Sequence, residues 1–140
     1  MIRIREIDHV VLRVRKLEDM LDFYCNALGC RIEKQVVKSG LIQLRAGTCL
    51  LDFVPVDSKL GQSGGATPGK NGLNMDHFCF RIDPFNVSDI SQHLSRHDIE
   101  AGEVALRYGA EGSGPSIYIN DPDGNTVELK GPPNTSSQIP

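Results

Sequence analysis

The chain lacks a CxxC pair among its four cysteines, an HExxH motif, an apolar run long enough to span a bilayer, and any excess of positive charge. Each absence removes a class of function. Without close cysteine pairs, Cys25, Cys30, Cys49 and Cys79 are expected to be reduced packing residues, not a disulfide framework or a cysteine metal site. Without a long apolar run there is no candidate membrane helix. The first residues, Met1 to Glu6, carry charges in place of an apolar stretch and a small-residue cleavage site, so the cytoplasm is the expected compartment. A net charge of -3 with 24% charged residues describes an ordinary globular surface, with no electrostatic reason to expect a nucleic-acid or membrane partner. His93 and His97 lie four apart, but Leu94, Ser95 and Arg96 stand between them with no glutamate, and they are expected on an outer helix face.

What the chain does have is an internal repeat. With 140 residues and 39% hydrophobic content it fits one α+β domain with a real core, taken over 1–140. Within it, Asp8-His9-Val10-Val11-Leu12-Arg13-Val14 matches Asp76-His77-Phe78-Cys79-Phe80-Arg81-Ile82 at an offset of 68 residues, with Asp, His and Arg coincident and the other four positions apolar. Each copy runs into a helical pattern. Leu17, Met20, Leu21, Tyr24 and Leu28 recur at three-and-four spacing up to Gly29. Val87, Ile90, His93, Leu94 and His97 do the same after Asn86 or Ser88 as N-cap.

Short strands follow each helix. The first series is expected at about 31–37, 41–45 and 48–56, the last two joined at Ala46-Gly47. The second is expected at about 100–107, 116–120 and 125–130, with Asp121-Pro122-Asp123-Gly124 as the turn into the last strand. Two βαβββ units, about 7–56 and 75–130, are therefore expected, their sheets enclosing a concave space with helices outside. A glycine-rich linker from Asp57 to Asn74 is expected to be a mobile loop over that space, and the tail from Gly131 to Pro140 a frayed end.

Alternation assigns the faces. Val10, Leu12 and Val14 suit packing under the helix, which turns His9, Val11 and Arg13 to the other face. The same logic turns His77, Cys79 and Arg81 away from Phe78, Phe80 and Ile82. Asp52 falls between Leu51 and Phe53 on the concave side, and Thr126, Glu128 and Lys130 oppose Val127 and Leu129. Two imidazoles and two carboxylates from four strands, His9, Asp52, His77 and Glu128, form a hard-to-borderline donor set suited to one divalent metal ion with open positions. Such an ion would compensate carboxylates placed in apolar strands. Arg13 and Arg81 read equally as interior anion clamps or as rim charges.

Together, Asp8-His9-Val10, Phe23-Tyr24 with Leu28-Gly29, Asp76-His77 and the run Asp121-Pro122-Asp123-Gly124-Asn125-Thr126-Val127-Glu128-Leu129 resemble the vicinal oxygen chelate superfamily, in particular its glyoxalase-like proteins. The resemblance covers about Ile7 to Lys130, and its last segment is the most specific. It implies the half-barrel of the glyoxalase, bleomycin-resistance and dihydroxybiphenyl-dioxygenase type, a metal held by His9, His77 and Glu128, and a homodimer in which units pair within or between chains. Where the family's glyoxalases carry a glutamate as fourth ligand, this chain carries Asp52, one methylene shorter, as ligand, water-mediated ligand or base. The metal would be nickel, cobalt, zinc, manganese or iron. The activity implied is a lyase or isomerase acting on a small oxo-compound or its thiol adduct by enediolate stabilisation, with Glu128 or Asp52 moving the proton and Arg13, Gln43, Arg45 and Tyr118 as polar contacts to substrate. The same superfamily also holds extradiol dioxygenases, thiol transferases and non-catalytic small-molecule binders.

Overall fold

The computed structural model describes residues 1–134 and divides into two compact units, Met1–Asn74 and Met75 onward. Alternating residues in the first unit build β1 (His9–Val14), which leads into α1 (Leu17–Leu21) and a π-helical turn over Asp22–Ala27. The wider turn brings Phe23, Tyr24 and Ala27 into the interior beside Met20, and the helix stops at Gly29, whose φ of 77° disfavours any residue with a Cβ. Strands β2 (Arg31–Val36), β3 (Leu41–Ala46) and β4 (Cys49–Pro55) complete a four-stranded sheet in the order β1-β4-β3-β2. Only the β1–β4 pair is parallel.

The second unit repeats this topology. β5 (His77–Arg81), α2 (Val87–Arg96), β6 (Ala105–Gly109), β7 (Gly112–Asn120) and β8 (Thr126–Lys130) form a sheet ordered β5-β8-β7-β6, again with its first and last strands parallel. Asn86 caps α2, its side-chain oxygen accepting from the Asp89 backbone N–H at 3.0 Å.

Each sheet packs its apolar positions under its helix. In the first unit Leu12, Val14, Met20, Tyr24, Leu44 and Phe53 are fully enclosed, with Tyr24 edge-on to both Phe23 and Phe53. In the second the core is Leu94, Ile117, Ile119, Val127 and Leu129. Each such side chain contributes about 1.5–3 kcal/mol through removal from water. No helix among the described residues is long and apolar enough to cross a membrane.

Four sequence expectations need correction. β6 begins at Ala105, not near Glu100, and β7 begins at Gly112, four residues before Ser116. The linker is not an unattached loop: it forms a 3-10 turn at Gly61–Gly64 and a bridge between Gly69 and Gly72, and β1 holds it directly. The tail stays ordered through Asn134, since Gly131 and Asn134 donate to the Pro115 and Ser113 carbonyls at 2.7 and 3.0 Å. The expectation of fraying over 135–140 lies outside the described residues.

Candidate functional site

The repeated Asp-His dipeptide orients its own imidazole. Asp8 Oδ1 lies 2.7 Å from His9 Nδ1, and Asp76 Oδ1 lies 2.6 Å from His77 Nδ1. An ionised carboxylate only accepts, so each Nδ1 donates to its aspartate and each ring is held with Nε2 on the side away from it. The hydrogen bond from Asp8 raises the His9 pKa above its ordinary value, partial desolvation opposes that, and Asp52 adds a smaller upward push. In the second unit His77 Nε2 lies 3.4 Å from Glu128 Oε2.

Register places one acid equivalently in each unit. Asp52 pairs across β1 with Val11, two residues after His9, and Glu128 pairs across β5 with Cys79, two residues after His77. Paired residues share a sheet face, so each unit presents one histidine and one carboxylate together. Both acids are buried, Asp52 at 3% and Glu128 at 6% exposure, while His9 and His77 are exposed. Gln43 donates to Asp52 Oδ2 at 2.9 Å, which leaves Asp52 Oδ1 as a buried oxygen without a hydrogen-bond partner. Glu128 Oε1 is a second such oxygen. Unpartnered buried carboxylate oxygens are costly unless a proton or cation meets them, and beside imidazole nitrogens the donor chemistry fits a divalent metal ion. Among the described residues, no group of three or more His, Cys, Asp or Glu could hold an ion by itself.

The polar contacts expected for substrate divide. Gln43 stands against Asp52, and Tyr118 pairs across β8 with Glu128 and sets its ring 5.4 Å from that of His77. Arg45 is engaged elsewhere, forming a fork on Glu33 at 2.6 and 2.7 Å and donating to the Thr48 carbonyl, and this pairing lowers the Glu33 pKa. Arg13 is a structural clasp: its guanidinium donates to the carbonyls of Ala66, Gly61 and Gly65 at 2.7, 3.2 and 3.2 Å. Asn74 closes the same clasp by bonding the Arg13 backbone N–H and C=O. Arg81 pairs with Glu111 at 2.6 Å. His93 lies exposed on α2 and His97 exposed at its C-cap, with ring centroids 4.8 Å apart, and they stay outside the site.

On this face the sequence reading misjudged the role of one residue and missed another. Cys79, expected as packing, is exposed beside Glu128, and its thiol is pushed up to about 11 by desolvation of the sulfur and then by that carboxylate. Arg107 stands 4.2 Å over the Tyr118 ring and donates to Ser116. Its position was legible in the alternation of Ala105, Arg107 and Gly109, but the strand was expected to end at Arg107.

Comparison with known proteins bears on this arrangement. A family model described as the Glyoxalase/Bleomycin resistance protein/Dioxygenase superfamily matches residues 6–129. A glyoxalase domain-containing protein of Mycosarcoma maydis is 31% identical over 135 residues, covering 90% of this chain and 68% of that protein. A biphenyl-2,3-diol 1,2-dioxygenase of Rhodococcus globerulus is 31% identical over 129 residues, covering 87% of this chain but only 60% of the relative, less than two thirds of its length. The crystal structure of a virulence protein from Salmonella typhimurium superposes with a TM-score of 0.76 at 26% identity, over 94% of this chain and 99% of that one.

Proposed function

The chain belongs to the Glyoxalase/Bleomycin resistance protein/Dioxygenase superfamily, and on that premise we propose that it is a metal-dependent lyase or isomerase acting on a small oxo-compound or its thiol adduct. The observation that carries this reading is the pair of buried, unpartnered oxygens, Asp52 Oδ1 and Glu128 Oε1, at equivalent register positions. His9, Asp52, His77 and Glu128 would hold the ion. When bound it supplies Lewis acidity toward the oxygens of the substrate.

The chain's own residues orient ligands and move a proton. Asp8 and Asp76 fix the two imidazoles. Gln43 fixes the Asp52 carboxylate through one oxygen and leaves the other unclaimed. A carboxylate with an unclaimed oxygen can take a proton from the carbon next to a carbonyl and return it to the neighbouring carbon. Asp52 and Glu128 are the two groups able to do so, and partial burial keeps bulk water from competing for that proton.

A second reading is ring-cleaving dioxygenation, favoured by the 31% identity to the biphenyl-diol dioxygenase. There His9, His77 and Glu128 would form the two-histidine, one-carboxylate triad that leaves iron(II) open. That triad gives the orphaned oxygen of Asp52 no work, which is why the first reading is preferred.

Elemental analysis of protein purified without a chelating resin, repeated on Glu128→Gln, tests the metal. Turnover of the methylglyoxal–glutathione hemithioacetal with nickel, cobalt or zinc, and of 2,3-dihydroxybiphenyl with iron(II), tests the reaction. Bound metal that falls away in the variant, with lyase turnover abolished by Asp52→Ala, is expected. Ring cleavage that survives Asp52→Ala would select the second reading, and wild-type protein without metal would overturn both. Family precedent extends the proposal to a homodimer, which a monomer with full metal content in sedimentation would overturn.

A further inference from the structure

Away from the sheet face that carries His77 and Glu128, one pair of metal-capable side chains stands together. His93 lies on α2 and His97 is its C-cap, both exposed, four residues apart and so on one stripe of the helix. Their ring centroids are 4.8 Å apart with the planes inclined at 51°, so the rings are neighbours without being stacked. The helix is anchored between them: Leu94 is 1% exposed, and its carbonyl accepts from the His97 and Ile99 backbone N–H groups, each at 3.0 Å. Leu94 shares the core with Val127 and Leu129, which alternate with Glu128 along β8, so the pair belongs to the opposite side of this sheet from the candidate site.

The spacing of the rings fits one ion. An imidazole nitrogen about 2.0–2.1 Å from a metal puts its ring centroid about 3.2 Å away, so two rings held at roughly 90–110° stand about 4.5–5.2 Å apart. The observed separation falls inside that interval. The surrounding charge also suits a cation. Asp89 precedes His93 by four residues on the same stripe, Asp98 follows His97, and the guanidinium of the same turn, Arg96, is drawn to Gln92 Oε1 at 2.6 Å. The last carbonyls of α2 give its C-terminus a negative character that adds to the attraction. Among the described residues no third His, Cys, Asp or Glu completes a three-ligand group, so the pair is bidentate, with water or an outside donor for the remaining positions.

We propose that His93 and His97 are a second metal site, a two-imidazole clamp for a late first-row divalent ion, with nickel and copper held above zinc. Bound there, the ion ties the last turn of α2 and stabilises the native chain, since the unfolded chain does not hold the two rings in register. No glutamate stands between the histidines to act as base on a bound water, so the site is assigned binding and no catalysis. The clamp stands on α2 alone and does not rest on the function proposed above.

The test is retention of the untagged full chain on immobilised nickel(II) iminodiacetate, eluted by an imidazole gradient, with circular dichroism confirming the fold of each variant. Wild type and His77→Ala are expected to be retained alike. His93→Ala and His97→Ala are expected to elute with about tenfold less imidazole, because a second linked ligand acts at high effective concentration. His97→Ala combined with Ser95→His keeps the number of histidines but sets them on different sides of the helix, and is expected to be retained no better than His97→Ala. Nickel is also expected to raise the melting temperature of His77→Ala by a few degrees, and to leave it unmoved once His93→Ala is added. The proposal is overturned if wild type passes through unretained, if either single variant on α2 is retained like wild type, if Ser95→His restores retention, if His77→Ala abolishes it, or if nickel leaves the melting temperature of His77→Ala unchanged. Failure of metal binding in the Glu128→Gln comparison would overturn the earlier metal reading and leave this result standing.

Discussion

Asp76 holds His77 through Nδ1 at 2.6 Å while the opposite ring nitrogen faces Glu128 at 3.4 Å. Asp8 repeats the arrangement on His9 at 2.7 Å. A carboxylate behind a ligating imidazole fixes its tautomer and raises its basicity, and loss of such a partner typically weakens metal affinity by about 10–100-fold. Asp76→Asn is accordingly expected to weaken zinc binding by about that factor, measured by competition with a chromophoric chelator, while leaving the melting temperature within a degree or two. Unaltered affinity in both Asp76→Asn and Asp8→Asn would argue that neither histidine ligates.

The Cys79 thiol gives a reading of the same face through pH. Desolvation of the sulfur first, and the Glu128 carboxylate second, push it up to about 11, with Lys130 acting in the opposite direction. Only the thiolate alkylates, so at pH 8 about one molecule in a thousand is reactive, and the rate should climb with pH toward 11. Glu128→Gln removes a negative charge that disfavours the thiolate, so iodoacetamide labelling of Cys79 at pH 8, followed by mass spectrometry, should become faster. Slower labelling would mean that Glu128 does not face the sulfur. Cys30, buried and also raised to about 11, should label only after unfolding.

The two βαβββ units and the strand faces of their histidines and carboxylates were legible because they depend on local alternation, whereas the strand order within each sheet was not. His9 and Asp52, like His77 and Glu128, reach one face by counting residues in twos. The β6–β7 hairpin was less legible. Glu100 to Val104 was expected to open the strand, yet Gly102 donates to the Tyr118 carbonyl at 2.9 Å without entering a ladder. Conversely, Gly112 to Pro115 carries no apolar signal and still pairs with 106–109. The partners of Arg13 were illegible for a different reason: its acceptors lie 48 to 53 residues away in a loop whose path no periodicity encodes.

That clasp has its own consequence. Arg13 draws the linker onto β1, and the close approach requires a residue without a side chain at 64, where a Cβ would lie 2.5 Å from Arg13 Nε. Arg13→Met keeps the apolar stem but frees three carbonyls. Cleavage between 57 and 74 by a protease of broad specificity should become several-fold faster, with global stability reduced by about 1–3 kcal/mol. Gly64→Ala should mimic it. Resistance equal to wild type in both variants would show that the remaining linker contacts suffice.

The turn that launches β8 decides where Glu128 stands. Asp121 is 4% exposed and accepts from the backbone N–H groups of Asp123 and Asn125 at 3.0 and 2.8 Å, and from the Asn125 side chain at 2.8 Å. Its own N–H donates to the Asn125 carbonyl, closing the loop on both sides, and Gly124 takes the φ of 88° that the turn needs. Asp121→Ala strips three buried donors of their acceptor at once and should cost about 2–4 kcal/mol, lowering the melting temperature by several degrees. Asp121→Asn keeps the shape and one carbonyl oxygen for the two backbone donors but sets an amide against the Asn125 amide, so a loss of about 1–2 kcal/mol is expected. The Asn variant should then retain most of its metal, because the backbone bonds that align Asn120 with Thr126 survive, whereas the Ala variant should lose metal along with stability. Equal melting temperatures for wild type and Asp121→Ala would mean that the strand pairs, not the turn, set the position of Glu128.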